Sequence, residues 1–305
     1  MIPPNLKGMP VNSDWFIQYF QNTIQRTVSP AAFEWLSGKT NLFVGDKGTN
    51  VFYSTFTAVP RQTGKFSLAL TEAEISELQK NTEGFSLKGY TIDRLVRVWL
   101  LLKWPFENKD AYLKTISQLF KAAEMNELVA LYSALPLLQY PGDWVKQCAE
   151  GVRSNIGTVL EALICNNPYP SKYLEEAAWN QLVMKAFFTE KPVNLIIGLD
   201  ERANQTLAYT LSDYAHERWA AGRSVDPQLW RLVGKFIDER TFPDLKRVFS
   251  VGDVIERQAA ALTFSETEYK PARVLLESEP ELKVAIENGQ LNWDKIADAS
   301  LTNTI

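Results

Sequence analysis

An all-α, multi-helical chain, arranged as an irregular α-solenoid (HEAT-like) array, is predicted by three features of this 305-residue sequence. Apolar residues recur at three- and four-residue spacing through most of its length, the mark of helices with one buried face. Helix-start signals stand in front of those runs. Ser29-Pro30 and Asp226-Pro227 pair a capping side chain with proline at the first turn, and Thr71-x-x-Glu74 forms a capping box. The one β-branched and aromatic run, residues 50–59, has no strand-like neighbour, and a lone strand would leave its backbone groups unsatisfied. It is therefore read as a helix on the stripe Phe52, Phe56 and Val59.

Residues 1–11, broken by three prolines and a glycine, are expected to be an irregular leader, with 12–305 forming a single continuous helical domain. Asn12 or Ser13 caps a helix through DWFIQYFQNTI, and AAFEWL follows Ser29-Pro30 and stops at Gly38. The Gly38-Lys39-Thr40 triplet resembles half of a phosphate-binding loop, but its leading glycine position is Phe33 and it follows a helix instead of a strand. Thr91 caps TIDRLVRVWLLLKW, which Pro105 ends. Asp110 opens AYLKTISQLFKAAE, and MNELVALYSAL runs to Pro136. A central block, 143–223, contains helices over 143–165, 171–188 and 205–221, with the stiff turn Asn166-Asn167-Pro168-Tyr169-Pro170 between the first two. From Asp226-Pro227 a helix is expected through QLWRLVGKFI. The short helices after Phe242 give 226–305 a repeat-like character.

Composition limits the function classes. Charge is −4 with acidic and basic residues interleaved, which argues against a nucleic-acid face. No apolar stretch is long enough to span a bilayer, and no secretory leader is read at the start, so a cytoplasmic location is expected. The two cysteines, Cys148 and Cys165, lie seventeen positions apart on one expected helix. That places them ~25 Å apart, beyond disulfide reach. They read as reduced core thiols. Too few His and Cys residues exist for a common zinc site, and no cofactor fingerprint is present.

The central block carries polar residues where the helical pattern calls for apolar ones, and an unpaired buried polar group costs roughly 2–7 kcal/mol. On helix 143–165, Asn155 falls inside the apolar arc and Arg153 at its edge. On helix 171–188, Gln181 and Lys185 align one turn apart with Asn180 beside them. On helix 205–221, Arg218 sits amid Leu207, Leu211, Tyr214 and Ala215. The connecting stretch LDERAN supplies Asp200, Glu201, Arg202 and Asn204. Buried cations require acids or several acceptors, and Asp200, Glu201 or Glu161 is the expected partner of Arg218. These residues form either an ion-pair network that fixes helix crossings or a pocket for an anionic or oxygen-rich ligand, unless the long side chains reach out to solvent. His216, the single histidine, lies on the polar face, with Asp213 the nearest candidate to orient it.

Several long segments carry a family likeness. EGVRSNIGTVLEALICNNPYP, EEAAWNQLVMKAFF, GLDERAN and DYAHERWAAGR, with VPRQTGK and ALYSALPLL upstream, resemble the EboA-domain family of bacterial proteins over roughly residues 50–260. The resemblance implies a cytoplasmic accessory protein. Its gene would sit in a small cluster whose other products look like a UbiA-type prenyltransferase, a TatD-like hydrolase, a dehydroquinate-synthase-like protein and a sugar-isomerase-like protein. Such clusters are associated with moving or maturing secondary-metabolite precursors. The family brings no established catalytic residues. Two functional readings follow: a non-catalytic binding or scaffold protein with partners from the same pathway, or an enzyme with a buried polar pocket.

Overall fold

The computed structural model describes residues 13–82 and 84–302, so the expected leader lies outside the described residues. Every extended element among them is helical, apart from one isolated bridge between Ser67 and Thr91. The all-α expectation holds. The chain forms two compact units, Met1–Trp179 and Asn180–Ile305, with the boundary inside one helix.

The first unit opens with α1 (Ser13–Thr27), α2 (Pro30–Thr40), α3 (Gly45–Thr63) and α4 (Glu72–Asn81). Ser29 caps α2 as expected, its hydroxyl accepting from the Ala32 N–H, although the helix passes through Gly38 to Thr40 instead of stopping there. The ambiguous 50–59 run lies wholly within α3, with Phe52, Phe56 and Val59 fully buried. The Thr71–Glu74 capping box is complete on α4.

Helix α5 (Ile92–Lys103) packs against α1, α3 and α7 (Met125–Ala134). It is buried on nearly every side, as an apolar helix with no solvent face must be. Asp93 and Arg97 are buried with it. Their side chains are 6% and 4% exposed and meet at 2.8 Å, and Arg97 Nε also donates to the Phe56 carbonyl. Between α5 and α7 runs α6 (Lys109–Ala122), capped by Asn108 and not by Asp110.

The expected helix over 143–165 is in fact three pieces. A 3₁₀ turn, Pro141–Trp144, leads into α8 (Val145–Arg153), and after a break comes α9 (Gly157–Ile164). The break follows from its residues. The Ser154 hydroxyl accepts from the Ile156 N–H and offers the backbone an alternative to the helix ladder, beside Asn155 and Gly157, both poor helix formers. Cys148 is therefore a buried thiol on α8, while Cys165 is half-buried just past α9, and the single-helix spacing argument no longer applies. Helix 171–188 is likewise divided into α10 (Tyr169–Tyr173) and α11 (Glu176–Phe188) by an extended Leu174. The turn before α10 is stiff as expected. Buried Asn167 donates to the carbonyls of Tyr132 and Ala162 and accepts from the Tyr169 N–H.

In the second unit, Asn204 caps α12 (Gln205–Ala220). Asp226 accepts from the Gln228 N–H, but the segment it starts is not an α-helix. It forms two 3₁₀ turns, Pro227–Leu232 and Gly234–Phe236. Gly234 lies so close to the next layer that a β-carbon there would stand 3.3 Å from the Thr263 carbonyl oxygen. Four helices, α13 (Phe242–Val251), α15 (Lys270–Glu277), α16 (Pro280–Glu287) and α17 (Trp293–Thr302), all pack on α14 (Val254–Ser265). The small buried side chains of Ala259, Ala260 and Ala261 allow that approach. A solenoid stacks each repeat only on its neighbours; here one helix serves as a common hub.

Candidate functional site

Of the residues singled out in the central block, Asn180, Asn204 and Arg202 are brought together, while Arg153, Asp200, His216 and Arg218 bond residues outside the set. Arg153 and Asn155, in the first unit, are both exposed, and Arg153 pairs with Glu150 at 2.9 Å. Their place on the apolar arc presumed a helix that breaks between them.

In the second unit, Asn180 and Asn204 form a reciprocal amide pair, at 3.1 and 2.8 Å, that ties α11 to the start of α12. The Asn204 carboxamide oxygen also caps Leu207 N–H, and its nitrogen donates to the Arg202 carbonyl. Gln181 and Glu201 are exposed; Arg202 and Lys185 are half-buried, and burial lowers the Lys185 pKa.

Arg218 is not in the core. Its side chain is 19% exposed and turns back along the end of α12, where Nε donates to the Ser224 carbonyl at 2.7 Å. Glu190 is its nearest carboxylate, at 3.8 Å. The expected partner Asp200 is taken by Arg231, whose Nε and Nη2 bond both carboxylate oxygens at 2.6 and 2.5 Å. A side chain as long as arginine can leave the arc its α-carbon occupies, which is why the wheel position misled.

His216 is exposed, as its polar face required, but Asp213 does not orient it. Asp213 holds Arg240, and His216 Nε2 lies 2.6 Å from Asp244 Oδ1. The other Asp244 oxygen accepts the Ser212 hydroxyl. The carboxylate stands between serine and histidine, whereas nucleophile activation needs the imidazole in the middle.

Around Asp200 the structure assembles a different group. A cavity of about 220 Å³ is lined by Asp200, Ala203, Arg231, Leu232, Lys235 and Glu266. Arg231 and Asp200 neutralise each other across it, bidentate and therefore fixed in geometry. Trp293 Nε1 donates to Glu266 Oε1 at 2.8 Å. The Glu266 carboxyl is held above its ordinary pKa. Desolvation by surrounding protein is the largest cause. The Trp293 hydrogen bond opposes it, the Asp200 carboxylate adds to it, and Arg231 and Lys235 act against it. Lys235 is exposed at the rim. Of these residues, sequence reasoning found only Asp200. Arg231 lay in a segment misread as an ordinary helix, and Lys235 and Glu266 lie 31 positions apart, joined by packing alone.

The fold is helical among the described residues, and the cleft sets a fixed ion pair beside a carboxyl held above its ordinary pKa. The chain belongs to the EboA family: the family described as Metabolite traffic protein EboA matches residues 16–234. The match begins earlier and ends earlier than the resemblance read from the sequence. Lys235, Glu266 and Trp293 lie beyond it. Neither a curated protein nor a solved structure matches the chain. Among the described residues no cluster of three or more metal-ligating side chains occurs, and no helix is long and apolar enough to cross a membrane.

Proposed function

We propose that the chain is a non-catalytic, cytoplasmic binding protein that holds a small polar precursor of a secondary metabolite in the Asp200–Glu266 cleft. It hands that molecule between protein partners of the same pathway. The observation that carries this reading is the division of labour in the cleft. Arg231 and Asp200 use each other, while Lys235 has no ion-pair partner among the described residues and Glu266 keeps one oxygen unbonded. A spare donor and a spare acceptor flank a space with room for about seven waters' share of liquid volume. That is a recognition site for a compact polar molecule, and the metabolite-traffic description of the family supports the same reading.

A second reading keeps Glu266 as an acid–base group. Glu266 is exposed, but nearby protein desolvates its carboxyl enough to raise it above the ordinary value beside fixed charges, an arrangement that suits a proton donor. Equilibrium dialysis of the protein against a metabolite extract separates the two. A carrier enriches a compound and returns it unaltered, and Lys235→Met or Glu266→Gln abolishes the enrichment. Recovery of a chemically changed compound establishes the enzyme reading, and no difference between wild type and variants rejects the cleft.

A further inference from the structure

A second cavity, of about 240 Å³, lies in the first unit where α1 meets α4. Its wall is aromatic: Trp15 and Tyr19, one helical turn apart, stack with centroids 4.9 Å apart and planes 17° from parallel. Tyr19 is buried and fixed from behind, its hydroxyl donating to the Glu74 carbonyl at 2.9 Å, so the half-buried Trp15 is the outer ring of the pair. The charged lining is unbalanced. Arg26 pairs with Glu74, while Glu77 on the same rim is exposed and has no ion-pair partner among the described residues. Gln18 is neutral and donates its amide to Asn22.

We propose that this cavity is a binding site for a small organic cation, an alkylammonium group that lies against the Trp15–Tyr19 wall with its charge toward Glu77. Two independent features select that class. An electron-rich ring face attracts a cation within about 6 Å, and tryptophan does so best. The unpaired carboxylate gives the space a net negative charge that would repel the anionic or carboxylated ligands suited to a lysine rim. The field is felt within the site. Burial first, and then the charges of Glu74 and Glu77, push the Tyr19 hydroxyl up to about 12, against a smaller opposing effect from Arg26. A neutral polyol would gain the aromatic contact but nothing from the excess charge. The site stands or falls independently of the Glu266 cleft, which faces its ligand with a lysine.

The probe is choline, set against its uncharged isostere 3,3-dimethylbutan-1-ol, with binding to the full-length protein read by calorimetry and by the tryptophan indole N–H signals. Choline is expected to bind and to shift the signal that Trp15→Phe removes. The isostere is expected to bind roughly tenfold more weakly, and Glu77→Gln to weaken choline by a similar factor while leaving the isostere unchanged. Glu77 is exposed, so the variant should keep the wild-type melting temperature, which is measured alongside. Equal binding of the two probes, full choline affinity in Glu77→Gln, or no choline binding at millimolar concentration overturns the proposal.

Discussion

At the scale of single residues, the most demanding feature is the buried pair Asp93–Arg97, because two charges taken out of water must satisfy each other or destabilise the fold. Arg97→Met leaves the Asp93 carboxylate without its cation and the Phe56 carbonyl without its Nε donor. Urea denaturation should show a loss of about 3–5 kcal/mol. Adding Asp93→Asn should recover much of it, as a double-mutant cycle would register. Glu266 allows a test by pH. Its folded pKa is raised above the ordinary 4.5, so the folded chain holds that proton more tightly than the unfolded chain. The stability it contributes is therefore full below 4.5 and is lost as pH rises through the folded midpoint. Glu266→Gln should flatten that decline. Trp293→Phe removes a hydrogen bond that lowers the pKa, so carbon NMR should place the carboxyl midpoint higher still. A lower midpoint would contradict the geometry of the cleft.

At the scale of elements, close packing decides which substitutions the helices accept. Gly151 lies on α8 where a β-carbon would fall 2.4 Å from the Tyr132 ring and 2.7 Å from a Leu163 methyl. Glycine to alanine inside a helix ordinarily stabilises by up to about 1 kcal/mol. Here the clash should win, and Gly151→Ala should lower stability by about 1–3 kcal/mol in chemical denaturation. Helix starts were legible because a cap is local. Ser29 and Thr71 each bond a backbone N–H three residues on, and Asp226 does so two residues on, although it opens a 3₁₀ turn in place of the expected α-helix. Breaks were less so. The interruption at Ser154 has local causes, the hydroxyl-to-backbone bond and two poor helix formers, but the apolar pattern runs unbroken across it. Periodicity reports which residues are buried, and two consecutive helices that share a core side can keep one phase.

At the scale of the whole molecule, the family match and the packing do not end at the same place. The match stops at 234, yet α14 and α17 pack on the 3₁₀ turn at Pro227–Leu232, where Leu229 and Trp230 are buried. Gln228 Nε2 also donates to the Trp293 carbonyl. A chain ending at 234 should therefore expose that apolar layer. Against the full-length protein, it should bind a hydrophobic fluorescent dye and melt at a lower temperature. Indistinguishable behaviour would mean that the C-terminal helices contribute nothing to the layer they cover.

The helical class, most helix starts, the buried stripe of α3 and the family are legible in the chain alone, since each rests on residues near one another or on long matched segments. The side-chain partners depend on packing. Asp200 chose Arg231 over Arg218, His216 took Asp244 over Asp213, and Asn180 met Asn204, because side-chain pairing depends on which helices cross and on how far a long side chain can swing. The cleft needed that decision most. Asp200, Arg231, Lys235 and Glu266 span 67 positions of sequence, and no local pattern links residues that only packing brings around one cavity.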